Sequence, residues 1–129
     1  MKTYRRLWLF VAVLALFAAA CQTPPAGPGV SINAQAGPTC PVERVPPDPA
    51  CDSRPVAGAT ILILDGSGNT VAKAVTDAQG NAFAPVPPGN YVVQPQPVEG
   101  LMGGAEQVPI SVAGDAPAVV TVVYDTGIR

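Results

Sequence analysis

From about residue 55 onward, short runs of apolar and β-branched residues alternate with short segments rich in glycine, proline, asparagine and aspartate. Runs of this length bounded by turn residues are typical of strands, and their regular recurrence is typical of a β-sandwich. The predicted strands cover residues 59–64, 70–76, 81–86, 91–95, 107–112 and 118–124. No helical period extends over a useful length in residues 37–129, so we predict an all-β domain there.

The predicted turns carry residues that suit their geometry. Asp77 and Gly80 occupy the first and fourth positions of a segment that fits a type I turn. Pro95, Pro97 and Pro109 lie in or beside predicted strands. Because proline has no N–H to donate to a neighbouring strand, we expect these three residues at sheet edges or strand ends.

The first 21 residues have a different pattern. Lys2, Arg5 and Arg6 precede an uncharged, largely apolar run over residues 7–20, which ends in small residues before Cys21. A basic head, a short apolar run and a small-residue step are typical of a signal peptide, and the run is too short for a good membrane span. We therefore predict a signal peptide over residues 1–20 and an exported protein. An uncleaved anchor helix is the alternative.

Residues 18–21, Ala-Ala-Ala-Cys, resemble the lipobox of bacterial lipoproteins, although Ala18 stands where that motif usually has leucine. The resemblance implies that the thiol of Cys21 carries the lipid, a palmitate-type anchor whose two acyl chains would hold the protein stably at a membrane. It places the protein in the cell envelope, on the outer side of the cytoplasmic membrane or in the outer membrane. Gln22 after the cysteine favours the outer membrane where one exists. Ordinary secretion is the alternative that Ala18 leaves open.

Residues 22–36 consist mainly of proline, glycine, alanine, glutamine and serine. This composition predicts a flexible, disordered linker between the lipidated cysteine and the domain. Fully extended, these residues would reach roughly 50 Å. The sandwich domain is accordingly expected over residues 37–129.

Cys40 and Cys51 are the cysteines that remain once Cys21 is assigned to the lipid. An even pair in an exported protein predicts a structural disulfide. It would close a proline-rich loop of about 12 residues, worth about 3 kcal/mol in the chain-entropy description. A redox or metal-binding thiol pair is the alternative, which the lack of a CxxC motif and of any histidine disfavours.

The chain beyond the signal peptide keeps four basic side chains against its nine acidic ones, a net charge of −5. Nucleic-acid binding needs clustered lysine and arginine against phosphate, so we exclude that class of partner. The absence of histidine excludes a histidine-based triad and histidine-ligated zinc. The acidic residues stand singly, and the Asp65 turn lacks the glycine and glutamate of a calcium loop. We therefore predict no enzyme activity, no cofactor and no metal.

Three segments together resemble the carboxypeptidase regulatory-like domain, also described as prealbumin-like or transthyretin-like and related to Cna protein B-type repeats. They are Pro-Val-Ala-Gly-Ala-Thr over residues 55–60, Thr-Asp-Ala-Gln-Gly-Asn-Ala-Phe over residues 76–83, and Pro-Pro-Gly-Asn-Tyr-Val-Val over residues 87–93. The likeness covers roughly residues 54–124. It implies a seven-stranded Greek-key sandwich of two sheets, with Phe83 and Tyr91 filling the space between them.

A lipid-anchored, non-enzymatic sandwich that binds an envelope protein or has a structural role is the leading functional hypothesis. We expect the contacts in the loops 41–50 and 96–106, with Leu101 and Met102 as an exposed apolar tip flanked by glycines. A carbohydrate-binding module at the cell surface is the alternative, although sugar faces usually stack on exposed aromatic rings and this domain has three aromatic residues. The sequence names no small-molecule ligand, and we expect a monomer.

Overall fold

A computed structural model describes residues 27–42 and 45–128. The predicted signal peptide and the predicted lipidation site, Cys21, lie outside the described residues. Over the described ranges, no helix is long and apolar enough to cross a membrane.

Strands account for nearly all of the regular structure within residues 27–42 and 45–128. They are β1 (Gly29–Gly37), β2 (Arg54–Pro55), β3 (Thr60–Leu64), β4 (Thr70–Val75), β5 (Asn81–Pro85), β6 (Gly89–Pro95), β7 (Val108–Val112) and β8 (Ala118–Asp125). A single 3-10 turn, Pro49–Cys51, is added in the segment between β1 and β2. The all-β class is confirmed, and the six predicted strands correspond to β3–β8 with ends that differ by one or two residues.

The strands form two four-stranded sheets. In the first sheet β1 is central: β8 runs parallel along one of its edges, and β5 and β2 share the other edge in antiparallel pairing. The second sheet has the antiparallel order β4-β3-β6-β7. The chain changes sheet after β2, β4, β5 and β7, which places the two sheets face to face as a sandwich.

The prediction of a linker over residues 22–36 is wrong for its second half, which is strand β1. The apolar residues of this strand alternate strictly with polar ones, and the alternation places the apolar set on the inner face. Asn33, on the outer face, donates a side-chain hydrogen bond to Asn81 of β5 at 2.8 Å. The buried hydrophobic side chains of β1 are Val30, Ile32, Ala34 and Ala36.

The core lies between the two sheets and is built mainly from valine, isoleucine and alanine. Its largest fully buried side chain is Tyr124 of β8. Tyr91 is half-buried against this core, and its hydroxyl donates to the carbonyl of Pro87 at 2.7 Å. The expectation that Phe83 also lies between the sheets is wrong. It stands opposite Ser31 on the outer face of the first sheet, and its ring covers Gly29, where a side chain would collide with it.

The predicted positions of the prolines are confirmed. Pro109 lies in β7, an edge strand, and Pro95 is the last residue of β6. Pro97 follows that strand in the loop. None of them interrupts hydrogen bonding in the middle of a central strand, as the missing N–H requires.

Thr76, which follows β4, is the buried polar side chain of the described core. Its hydroxyl donates to the carbonyl of Val56 at 2.6 Å and accepts from the N–H of Ala59 at 2.9 Å. One side chain thus satisfies two backbone groups of the β2–β3 loop, which would otherwise be buried without partners.

Candidate functional site

The topology brings three loops to one end of the sandwich. Because β1 and β8 run parallel, the segment after β1 (residues 38–53) and the residues after β8 (126–128) leave the sheet at the same end. The β6–β7 loop, residues 96–107, joins them there, since the Tyr124 hydroxyl at the end of β8 donates to the carbonyl of Gln96 at 3.0 Å. We call this end the loop pole. The described chain enters the sandwich at Gly29, at the opposite end.

The disulfide Cys40–Cys51 is present and closes the first of these loops, with a Cα–Cα distance of 5.2 Å. Hydrogen bonds hold the base of the loop: the Thr39 hydroxyl donates to the carbonyl of Asp52 at 3.0 Å. The Asp48 carboxylate accepts from the N–H of Ala50 at 3.0 Å and caps the 3-10 turn. The described part of the loop is solvent-exposed, Val45 to 97 %. The bridge therefore shapes a surface loop and does not pack the core.

Only one of the two residues predicted as an exposed tip has that position. Met102 is 64 % exposed. Its N–H donates to the carbonyl of Asp125 at 2.8 Å, and its side chain lies over Gly127. Leu101 is half-buried and packs against the core. The β6–β7 loop is thus fastened to the C-terminal segment at Met102, with the thioether side chain outside.

A surface groove of about 480 Å³ lies beside Leu101 at the loop pole. The β6–β7 loop forms one wall, and the residues around β2 form the other, closed by the C-terminal segment. Arg54 and Glu99 contribute opposite charges to a lining that otherwise includes Val56, Val98 and Ile128. Residues 54–57 and 126–128 were not predicted as part of this site. No local signal marks them as binding residues, and the pairing of β1 with β2 and β8 brings them to the groove.

Two aspartate turns, 65–69 and 77–81, share the same hydrogen bonds between carboxylate and backbone. In the turn 65–69, the Asp65 carboxylate accepts from the N–H groups of Ser67 and Asn69, each at 2.9 Å. In the turn 77–81, the Asp77 carboxylate accepts from the N–H groups of Gln79 and Asn81 at the same distance. The Asn69 N–H is the main reason why the pKa of Asp65 lies below its usual value of 3.8. Both carboxylates therefore act as turn caps.

No group of three histidine, cysteine, aspartate or glutamate side chains suited to a metal ion occurs within residues 27–42 and 45–128. The phenol of Tyr124 is buried, and this burial raises its pKa above the usual value of 10.0. Its hydroxyl holds the carbonyl of Gln96, so it fixes the β6–β7 loop to β8. The described lining of the groove at the loop pole thus offers mainly apolar groups together with one guanidinium and one carboxylate.

Comparison with known proteins adds a relative in fold. No family model and no curated protein matches the chain. Among solved structures, a minor pilin of the Gram-positive pathogen Streptococcus agalactiae matches 78 % of this chain with a TM-score of 0.59. The chain shares its fold with part of a bacterial pilin. The sequences are 14 % identical, and the match spans 44 % of the pilin, so the likeness shows the β-sandwich fold alone.

Proposed function

We propose that this protein is a lipid-anchored, non-enzymatic module of the bacterial cell envelope that presents its loop pole to a protein partner. The observation that carries the proposal is the position of that pole. The described chain enters at Gly29, eight residues after Cys21, whereas the disulfide loop, the β6–β7 loop and the C-terminal segment lie at the far end. A tether at Cys21 would therefore leave the loop pole free to meet other envelope components.

The hydrogen bonds of the acidic side chains support a binding role over catalysis. Asp48, Asp65 and Asp77 each cap a backbone turn through their carboxylate oxygens. Groups held in this way stabilise a rigid scaffold, which suits a module that offers shaped loops. The fold shared with part of a pilin is in keeping with a structural or interaction module at the cell surface.

The closer kinship that we propose is with the carboxypeptidase regulatory-like domains. Two of the three motif segments behind this kinship have clear structural roles. The segment 76–83 forms the turn between β4 in the second sheet and β5 in the first sheet. The segment 87–93 contains Tyr91, whose hydroxyl donates a hydrogen bond to the carbonyl of Pro87.

Metabolic labelling tests the anchor. We expect radiolabelled palmitate on the full-length protein and none on the Cys21→Ser variant, with the wild-type protein in the membrane fraction. A labelled Cys21→Ser variant, or an unlabelled wild-type protein found free in the medium, would contradict the lipid anchor.

Site-specific photo-crosslinking in cells tests the loop pole separately. A photoreactive residue at Met102 should capture a protein partner, and the same residue at Val71, an exposed position of β4, is the matched control. Met102 is the better choice because Leu101 packs against the core, and its replacement would disturb the fold. Equal capture from both positions, or none from Met102, would refute the assignment of the loop pole as the contact surface.

A further inference from the structure

The free edge of β8 differs from the other sheet edges of this sandwich. β8 is eight residues long and pairs with β1 along one side, while no described strand pairs with its other side. Residues 118–124 of this strand contain no proline and no charged side chain. Edges of this kind offer unpaired N–H and C=O groups to another strand, and proteins usually protect them.

The outer face of the same strand is apolar. Val119 is 78 % exposed and Val123 is 58 % exposed, with Thr121 between them on that face. The segment 119–123, Val-Val-Thr-Val-Val, reads the same in both directions. An antiparallel pair centred on Thr121 would therefore place each Val119 opposite a Val123, and such β-branched cross-strand pairs are favourable.

The other exposed edges carry features that oppose pairing. β7 contains Pro109, β5 contains Pro85 and β2 contains Pro55, and none of these prolines can donate a hydrogen bond. β4 has the same kind of symmetric segment, Val-Ala-Lys-Ala-Val over residues 71–75, but an antiparallel copy would set Lys73 against Lys73. Like charges directly opposite are destabilising. The contrast between Lys73 and Thr121 at equivalent central positions distinguishes a protected edge from an open one.

We propose that β8 pairs with β8 of a second copy of this chain, antiparallel and centred on Thr121, so that the two first sheets become one continuous sheet. The monomer expected from the sequence and this dimer are the two states that the experiments below distinguish. The acidic residues do not oppose it, because in this register Asp125 faces Pro117 of the second copy and not another carboxylate. Residues 22–26 of the same chain are poor competitors for the edge, since Pro24 and Pro25 lack N–H groups. The antiparallel register places the Gly29 ends of the two copies at opposite ends of the dimer, so two tethers at Cys21 would reach one membrane with the strands lying along its surface and the two loop poles pointing sideways.

Cysteine crosslinking of the full-length protein in membranes tests the register. Residues directly opposite in an antiparallel pair have Cα atoms about 4.5–5.5 Å apart, within the range of a disulfide. The Thr121→Cys variant should form a reducible homodimer about ten-fold or more in excess of Ser111→Cys, an exposed position on the proline-containing edge strand β7. The protein without an added cysteine gives the level of crosslinking that is due to Cys21.

A charge exchange tests the direction of pairing. In the Thr121→Cys background, Val119→Lys with Val123→Lys places lysines opposite each other and should abolish the crosslink. Val119→Lys with Val123→Glu places each lysine opposite a glutamate and should restore it. Three results would overturn the proposal: crosslinking of Thr121→Cys no greater than that of Ser111→Cys, equal crosslinking of the two charge variants, or adducts of Thr121→Cys with a different protein only.

Discussion

Gly80 and Gly68 occupy equivalent positions in the two aspartate turns, and this allows a matched test of how the fold is held together. Both residues have positive φ, +77° and +82°, and the N–H of each donates to the aspartate carbonyl of its own turn at 3.0 Å. Their surroundings differ. A Cβ at residue 68 would meet nothing within 4 Å, whereas a Cβ at residue 80 would land on the carbonyl oxygen of Ala34 in β1.

The expected losses of stability follow from that difference. Replacement by alanine costs about 1–2 kcal/mol at either position, because a side chain disfavours the left-handed conformation. At residue 80 the added carbon must also displace β1 from the turn. The bond from the N–H of Ala34 to the carbonyl of Gly80, 2.7 Å, and the bond from the N–H of Val56 to the carbonyl of Ala34, 3.0 Å, would both suffer. Two weakened buried bonds add about 2–4 kcal/mol.

Urea denaturation of the disulfide-intact full-length protein, followed by circular dichroism, measures both effects. We expect Gly68→Ala to lower the free energy of unfolding by about 1–2 kcal/mol and Gly80→Ala by about 3–6 kcal/mol. An unchanged dependence on urea concentration would show that both variants lose stability from the same folded state. Losses that agree within about 0.5 kcal/mol would refute the claim that the 77–81 turn is locked against β1.

Three further outcomes are expected. Thr76→Val keeps the shape of the side chain but leaves two backbone groups unpaired, so it should lower the free energy of unfolding by about 2–5 kcal/mol in the same assay. The control Thr70→Val, at an exposed position, should stay within about 0.5 kcal/mol of wild type. Equal effects of the two substitutions would contradict the role of the Thr76 hydroxyl. Replacing Cys40 and Cys51 together by serine should lower the free energy of unfolding by about 3 kcal/mol. The circular dichroism spectrum of the β-sheets should stay unchanged, because the loop lies outside the core. Loss of the folded spectrum would show that the sandwich itself needs the disulfide. The lowered pKa of Asp65 contributes stability that is present above pH 3.8, the ordinary pKa, and is lost as pH falls through the lower folded value. Asp65→Asn should therefore weaken the acid dependence of the unfolding midpoint below pH 4, and an unaltered acid dependence would speak against the contribution of this carboxylate.

The local sequence pattern was sufficient to predict most strands of the sandwich. The strands β3–β8 are bounded by turns whose aspartate, glycine and proline residues fix their ends, so composition and alternation locate them. β1 was harder to recognise because small and amide side chains give it a weak apolar signal, and the proline-rich residues before it favour a linker. Its strand character depends on β5 and β8 pairing with its two edges, contacts that are distant in sequence.

The candidate site likewise could be predicted only in part, because some of its residues are marked by the local sequence and others reach it through contacts distant in sequence. The glycines around Leu101 and Met102 marked a loop correctly, but which of the two side chains faces water depends on the packing of Leu101 against the core. Arg54 and Ile128 reach the groove only through the order of strands in the first sheet. The family resemblance predicts Phe83 in the interior, whereas its place in the alternation of β5, next to buried Ala84, puts it on the outer face.

The position of β1 has a mechanical consequence. Tension applied through the N-terminal side of the chain would act along the axis of this strand, which is hydrogen-bonded to antiparallel β5 on one edge, at right angles to that axis, and to parallel β8 on the other edge by slanted bonds. Such bonds resist shear together and do not open one after another as in a zipper. A pull through the tether proposed at Cys21 would therefore load the hydrogen bonds on both edges of β1 at once.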